Sequence, residues 1–156
     1  IICSLVLILQ PPMGRIIAID YGSKRCGLAV SDPLGMLSTP LDTVASHELM
    51  QFLEGYFSKE SVDLVVVGKP LQADGAPSDS FLLVERFVGA FKKRFPDIPV
   101  EWEDERYTSV MAQQAMIEGG MKKKERRKKG NLDKISAAII LRSYLDRVAG
   151  GNPGSK

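Results

Sequence analysis

One histidine, His47, is the whole supply of imidazole in this 156-residue chain, and its two cysteines, Cys3 and Cys26, stand far apart. Any Ser-His-Asp or Cys-His mechanism must therefore run through His47, yet no G-x-S-x-G or comparable nucleophile motif accompanies it. His47 falls where a helix is expected to open, and a solvated helix-end side chain is the simpler reading. Two isolated thiols give neither a disulfide framework nor a zinc motif, which fits a reducing cytoplasm. The apolar opening stretch, Ile1 to Pro12, is too short to span a bilayer and lacks the basic flank and small-residue cleavage site of a signal peptide. No membrane association is expected. The segment Gly68-Lys69-Pro70-Leu71 with Asp74-Gly75 lacks the G-x-x-x-x-G-K-[ST] spacing, which excludes an ordinary P-loop ATPase.

What is present is enough for one fold. Apolar residues make up 44% and charged residues 26%, within the soluble globular range, and the length suits one sizeable core rather than two domains. The formal net charge of +2 conceals an asymmetry. Between Met121 and Gly130 the basic residues Lys122, Lys123, Lys124, Arg126, Arg127, Lys128 and Lys129 face a single acid, Glu125, so this stretch carries +6 and the remainder −4. Residues 1–12 read as an over-extended reading frame or added leader, with the native chain starting at Met13. A single domain is expected over 13–149, and a frayed tail over 150–156.

The hydrophobic pattern predicts strands over Arg15–Tyr21 and Cys26–Ser31, joined as a hairpin, and a third over Met36–Val44 whose Pro40 suits a sheet edge. Ser46 is expected to cap a helix running to about Glu60, with Leu49, Phe52, Leu53, Tyr56 and Phe57 at helical spacing. Val62–Gly68 is nearly all apolar, as a central strand covered on both faces would be. A helix over Ser78–Phe95, a short strand over Val100–Asp104 and a helix over Ser109–Glu118 follow. The last helix is expected over Leu132–Val148, with Ile135, Ala138, Ile139, Leu141 and Leu145 on its apolar side. The order is β-β-β-α-β-α-β-α-α, without repeats or an interdomain linker.

Three groups of carboxylates stand out. Asp20 closes an apolar strand beside Tyr21 and Gly22, where it emerges at the rim of a sheet; a turn-initiating Asp before glycine is the bland alternative. Glu101, Glu103, Asp104 and Glu105 end another strand, with alternation placing Glu101, Glu103 and Glu105 on one face; a solvated edge is the alternative there. Asp133 starts the last helix, a position the macrodipole alone favours. Together they meet a known requirement, since hydrolysing a phosphodiester takes charge neutralisation by hard cations held about 3.5–4 Å apart. Oxygen ligands without spare histidines suit magnesium or manganese better than zinc.

Four blocks in order carry a family resemblance. They are Asp20-Tyr21-Gly22 with Arg25, Gly27, Ala29 and Ser31-Asp32; Val67-Gly68-Lys69-Pro70-Leu71 with Asp74-Gly75; Asp104-Glu105-Arg106 with Thr108-Ser109; and Lys128, Asp133, Ala137-Ala138, Ile140-Leu141 and Tyr144-Leu145. From Met13 to Leu145 the chain resembles the YqgF (RuvX) family of the ribonuclease H superfamily, whose members are connected with Holliday junction resolution and with trimming the 5′ end of pre-16S rRNA. The resemblance implies a ribonuclease-H-like α/β fold with a mixed five-stranded sheet, three antiparallel strands and then parallel ones, flanked by helices. It implies an acidic triad of Asp20, Glu105 and Asp133 holding Mg2+ or Mn2+, with Asp104 as runner-up ligand. Glu101 and Glu103 do not fit the motif, and Lys69 stands where relatives often carry an apolar residue.

The implied activity is metal-dependent phosphodiester hydrolysis in structured RNA or branched DNA, with ribosomal RNA processing preferred to four-way DNA. A non-catalytic nucleic-acid-binding module is the alternative from another class. Arg25 and Arg106, beside two triad members, are expected to grip phosphates, and the basic run before Asp133 to hold a phosphate backbone. Trp102 is expected to pack in the core in preference to stacking on bases. A homodimer is the remaining partner expectation.

Overall fold

The computed structural model describes residues 14–70, 80–104 and 129–149, the side chains of 129–133 and 149 excepted. The elements run β1 (Arg15–Asp20), β2 (Arg25–Ser31), β3 (Ser38–Ala45), a 3-10 turn (Ser46–Glu48), α1 (Leu49–Lys59), β4 (Val62–Lys69), α2 (Phe81–Arg94), β5 (Val100–Asp104) and α3 (Lys129–Ala149). The expected leader, the helix expected over 109–118 and the tail lie outside the described residues.

The strands form one five-stranded sheet in the order β3-β2-β1-β4-β5. β1 pairs antiparallel with β2, Asp20 opposite Gly27, and β2 pairs antiparallel with β3. On its other side β1 pairs in parallel with β4, Ile19 beside Val67, and β4 with β5, Gly68 beside Glu103. Apolar β-branched side chains on both faces suit β1 and β4 to the interior of the sheet. β3 is an edge, as Pro40 requires: proline cannot donate to a ladder, and the register shifts between Leu28 and Ala29, where Pro40 pairs.

Alternation along the strands divides the core in two. Ile17, Ile19, Cys26, Leu28, Val65 and Val67 face α1 and α2, which contribute Leu49, Leu53, Val84, Phe87, Val88 and Phe91. Ala18, Ala29 and Val66 face the other way, under Ala137, Ile140, Leu141, Tyr144 and Leu145 of α3. Each fully buried Ile or Leu in these layers stabilises the fold by about 1.5–3 kcal/mol relative to exposure.

Two expectations are corrected here. The buried stripe of α3 is Ala137, Ile140, Leu141, Tyr144 and Leu145, while Ile135, Ala138 and Ile139 are only half-buried. The helix is apolar on more than one side, so periodicity left its rotation open, and the stripe at i, i+3, i+4, i+7, i+8 seats on the small Ala18 and Ala29. Ser46 makes no helix-capping hydrogen bond; it opens the 3-10 turn, and α1 begins at Leu49.

Hydrogen bonds fasten α3 to both edges of the sheet. Ser38 Oγ on β3 donates to the Ala138 carbonyl at 2.7 Å. Near its other end, Arg147 Nε and Nη2 donate to Glu103 Oε1 at 3.2 and 2.9 Å, and Ser143 Oγ to Glu103 Oε2 at 2.7 Å. The helix thus spans the sheet from the β3 edge to the β5 edge.

Candidate active site

Asp20 is the last residue of β1, half-buried, at the end of the sheet where the parallel strands finish. It follows Ile16 and Ala18 in the alternation and so belongs to the face that α3 covers. The link to β2 is four residues long and tight: a Cβ on Gly22 would come within 2.5 Å of the Arg25 carbonyl oxygen, which only glycine avoids. Tyr21 leaves the rim for the opposite face, its ring stacked on Phe87 at 4.9 Å. Burial, with Cys26 beside it, raises the pKa of the Tyr21 phenol above its ordinary value. Arg25, half-buried, opens β2 on one flank of Asp20, and Lys69 closes β4 on the other. The Lys69 ammonium lies 5.5 Å from the centre of the Phe81 ring.

The acidic cluster on β5 is divided by the sheet. Asp104, exposed, is the register partner of Lys69 and falls on the face of Val100 and Trp102, opposite to that of Asp20. Trp102 is half-buried against the α1/α2 core, tilted on Phe81 at 5.5 Å. Glu101 is exposed, whereas Glu103 is buried and held by Ser143 and Arg147. The Glu103 hydrogen bond raises the pKa of Arg147 further. Ser143 and Arg147, four apart on one helix, present their donors to Glu103 together, a role that sequence reasoning missed because the partners are forty or more positions away.

Glu105, Arg106 and Lys122 to Lys128 lie outside the described residues. Asp133 and Lys129 are on α3, their side chains outside the description. Among the described residues no group of three His, Cys, Asp or Glu could hold a metal. On the α3 face of the described rim stand Asp20 and Glu103, the latter held by α3, with Asp104 on the opposite face. Nitrogen and sulfur donors are elsewhere: His47 is exposed in the 3-10 turn beside Glu48, and Cys26 is buried beneath the turn. Carboxylate oxygen of this kind fits a hard cation such as Mg2+ or Mn2+.

A family model described as Holliday junction resolvase, RuvX, matches residues 14–147. The chain belongs to the RuvX family. Relatives of this RuvX chain named pre-16S rRNA nuclease occur in Bacteroides thetaiotaomicron, 50% identical over 134 residues that cover 86% of this chain and 97% of the relative. The one in Parabacteroides distasonis is 52% identical over 134 residues, covering 86% and 96%. The one in Christiangramia forsetii is 51% identical over 133 residues, covering 85% and 98%. Among solved structures, Thermus thermophilus RuvC in complex with a Holliday junction substrate superposes with a TM-score of 0.50 at 17% identity, covering 87% of this chain and 96% of that one. The RuvX chain therefore has the ribonuclease-H-like fold that its residues led one to expect.

Proposed function

We propose that this RuvX protein is a metal-dependent nuclease, acting on structured RNA at the 5′ end of the 16S rRNA precursor. The observation that carries the reading is half-identity, across nearly the whole chain, to relatives named for that activity, with Asp20 at the open end of the central strand. The catalytic unit runs over residues 13–149, in the cytoplasm. Among the described residues no helix is long and apolar enough to cross a membrane.

Asp20, Glu105 and Asp133 would hold the divalent cation, with Asp104, which falls on the other face from Asp20, as the alternative to Glu105. When bound, Mg2+ or Mn2+ neutralises charge developing on the phosphate oxygens. The chain's own contribution is placement. Asp20 sits on a buried strand that cannot shift without disturbing both cores, and Arg25 beside it offers a fixed fork of donors to a phosphate. Arg106 and the run Lys122–Lys129 extend the cationic surface along the nucleic-acid backbone.

The family description favours a second substrate, the four-way DNA junction. The deciding experiment compares cleavage of a 16S precursor RNA and of a matched DNA junction in Mg2+ and Mn2+, by the wild type and by Asp20→Asn. We expect RNA cut faster, and the variant to lose activity while melting no earlier, because removing one of several clustered carboxylates relieves repulsion. Junction cleavage alone transfers the function to DNA. Binding without cleavage of either substrate leaves a non-catalytic binding module.

A further inference from the structure

The link that follows Asp20 is held by a residue outside every motif named above. Ser46, immediately after β3, donates its hydroxyl proton to the Gly22 carbonyl at 2.6 Å, and its amide donates to the Lys24 carbonyl at 3.0 Å. One residue thus fastens two of the four positions between β1 and β2. Beneath it the buried Cys26 Sγ lies 3.4 Å from Ser46 Oγ. The same Sγ lies 4.0 Å from the Gly22 carbonyl oxygen, so thiol and hydroxyl converge on one acceptor of the link. With Tyr21 stacked on Phe87 and Gly22 against the Arg25 carbonyl, the link is constrained from three directions, and its two ends are Asp20 and Arg25.

We propose that Ser46 is a positioning residue of the active site: its two hydrogen bonds set the placement of Asp20, toward the cation, relative to Arg25, toward the phosphate. The proposal rests on the reading of Asp20 as a metal ligand. A cap or turn that served stability alone has no reason to alter metal affinity. A clamp on a ligand's own turn does, as groups that orient ligands commonly do.

The test is calorimetric Mn2+ binding by the wild type, Ser46→Ala, Ser46→Thr and Asp20→Asn, with melting temperature and the Mn2+ dependence of RNA cleavage measured alongside. Ser46→Ala is expected to bind Mn2+ about tenfold more weakly, near the low end for such groups. Its cleavage should need correspondingly more Mn2+ and recover at saturation. Ser46→Thr, which keeps the hydroxyl, should stay near the wild type. Unchanged Mn2+ affinity in Ser46→Ala overturns the proposal whatever its melting temperature, as does a threonine variant impaired as far as alanine. Should the alanine variant not fold, Ser46→Val, close to threonine in shape but without a hydroxyl, replaces it, with the same criterion. If Asp20→Asn binds Mn2+ like the wild type, the ligand reading fails first and the positioning role falls with it.

Discussion

Asp20 and Glu103 are carboxylates on the same face of the sheet, at the same end, with opposite circumstances. Glu103 is 8% exposed and satisfied by three donors from α3, an arrangement that consumes its charge in holding helix to strand. Removing one partner of a buried pair typically costs about 3–5 kcal/mol. Arg147, whose side chain is 39% exposed, can regain water once Glu103 is gone, so Glu103→Ala should cost about 2–3 kcal/mol in urea unfolding. Glu103→Gln should cost less, since an amide oxygen can still accept from Ser143 or Arg147. A destabilisation within error of zero for the alanine variant would mean the fastening contributes nothing net.

The elements were largely legible, and the reasons they were legible are physical. β1 and β4 are legible as apolar, β-branched runs, β2 and β5 as short strands beside turn residues, and β3 as an edge because Pro40 admits little else. The rotation of α3 and the partner of Ser46 were not legible, because both depend on what lies across the sheet and not on local spacing. For the candidate site, Asp20 at a strand end could be read directly. The division of Glu101, Glu103 and Asp104 between two faces was foreshadowed by alternation, but the burial of Glu103 depends on Arg147, forty-four positions away.

The connection between β2 and β3 carries its own pH dependence. Asp32 Oδ1 accepts from the Met36 amide at 2.8 Å and the Leu37 amide at 2.7 Å, and Gly35 supplies the left-handed turn at φ 69°. The Leu37 amide, first among several backbone donors, lowers the Asp32 pKa. A carboxylate depressed in the folded state stabilises it while ionised and ceases to as pH falls through the lowered value. The amide shifts of Met36 and Leu37 should therefore titrate with a midpoint below the ordinary Asp value of about 3.9. Asp32→Asn should abolish the titration. A midpoint at or above the ordinary value would contradict the turn geometry.

For the whole molecule, charge is concentrated where the sequence crosses from β5 to α3. The +6 stretch from Met121 to Gly130 sits in a chain otherwise at −4, so nucleic-acid binding should be strongly dependent on salt. Replacing Lys122, Lys123, Lys124, Arg126, Arg127, Lys128 and Lys129 with Ser should flatten the slope of log affinity against log salt. On single-stranded RNA the change should be about 0.7 for each phosphate that the protein no longer neutralises. Circular dichroism should show the fold retained. A slope identical to the wild type would make the run mere solvated surface.

The hydrogen bond from Ser38 to Ala138 joins residues one hundred positions apart, and α3 is the sole described cover for Ala18, Ala29 and Val66. A ribosome adding about 5–20 residues each second emits the β1-β2-β3 meander seconds before it emits the helix that covers it. During that interval one side of the sheet can be built up, while the other stays wet and adhesive. The protein's most vulnerable moment therefore falls between the emergence of β3 and that of α3, when half of the interior of this sheet is still open to any passing surface.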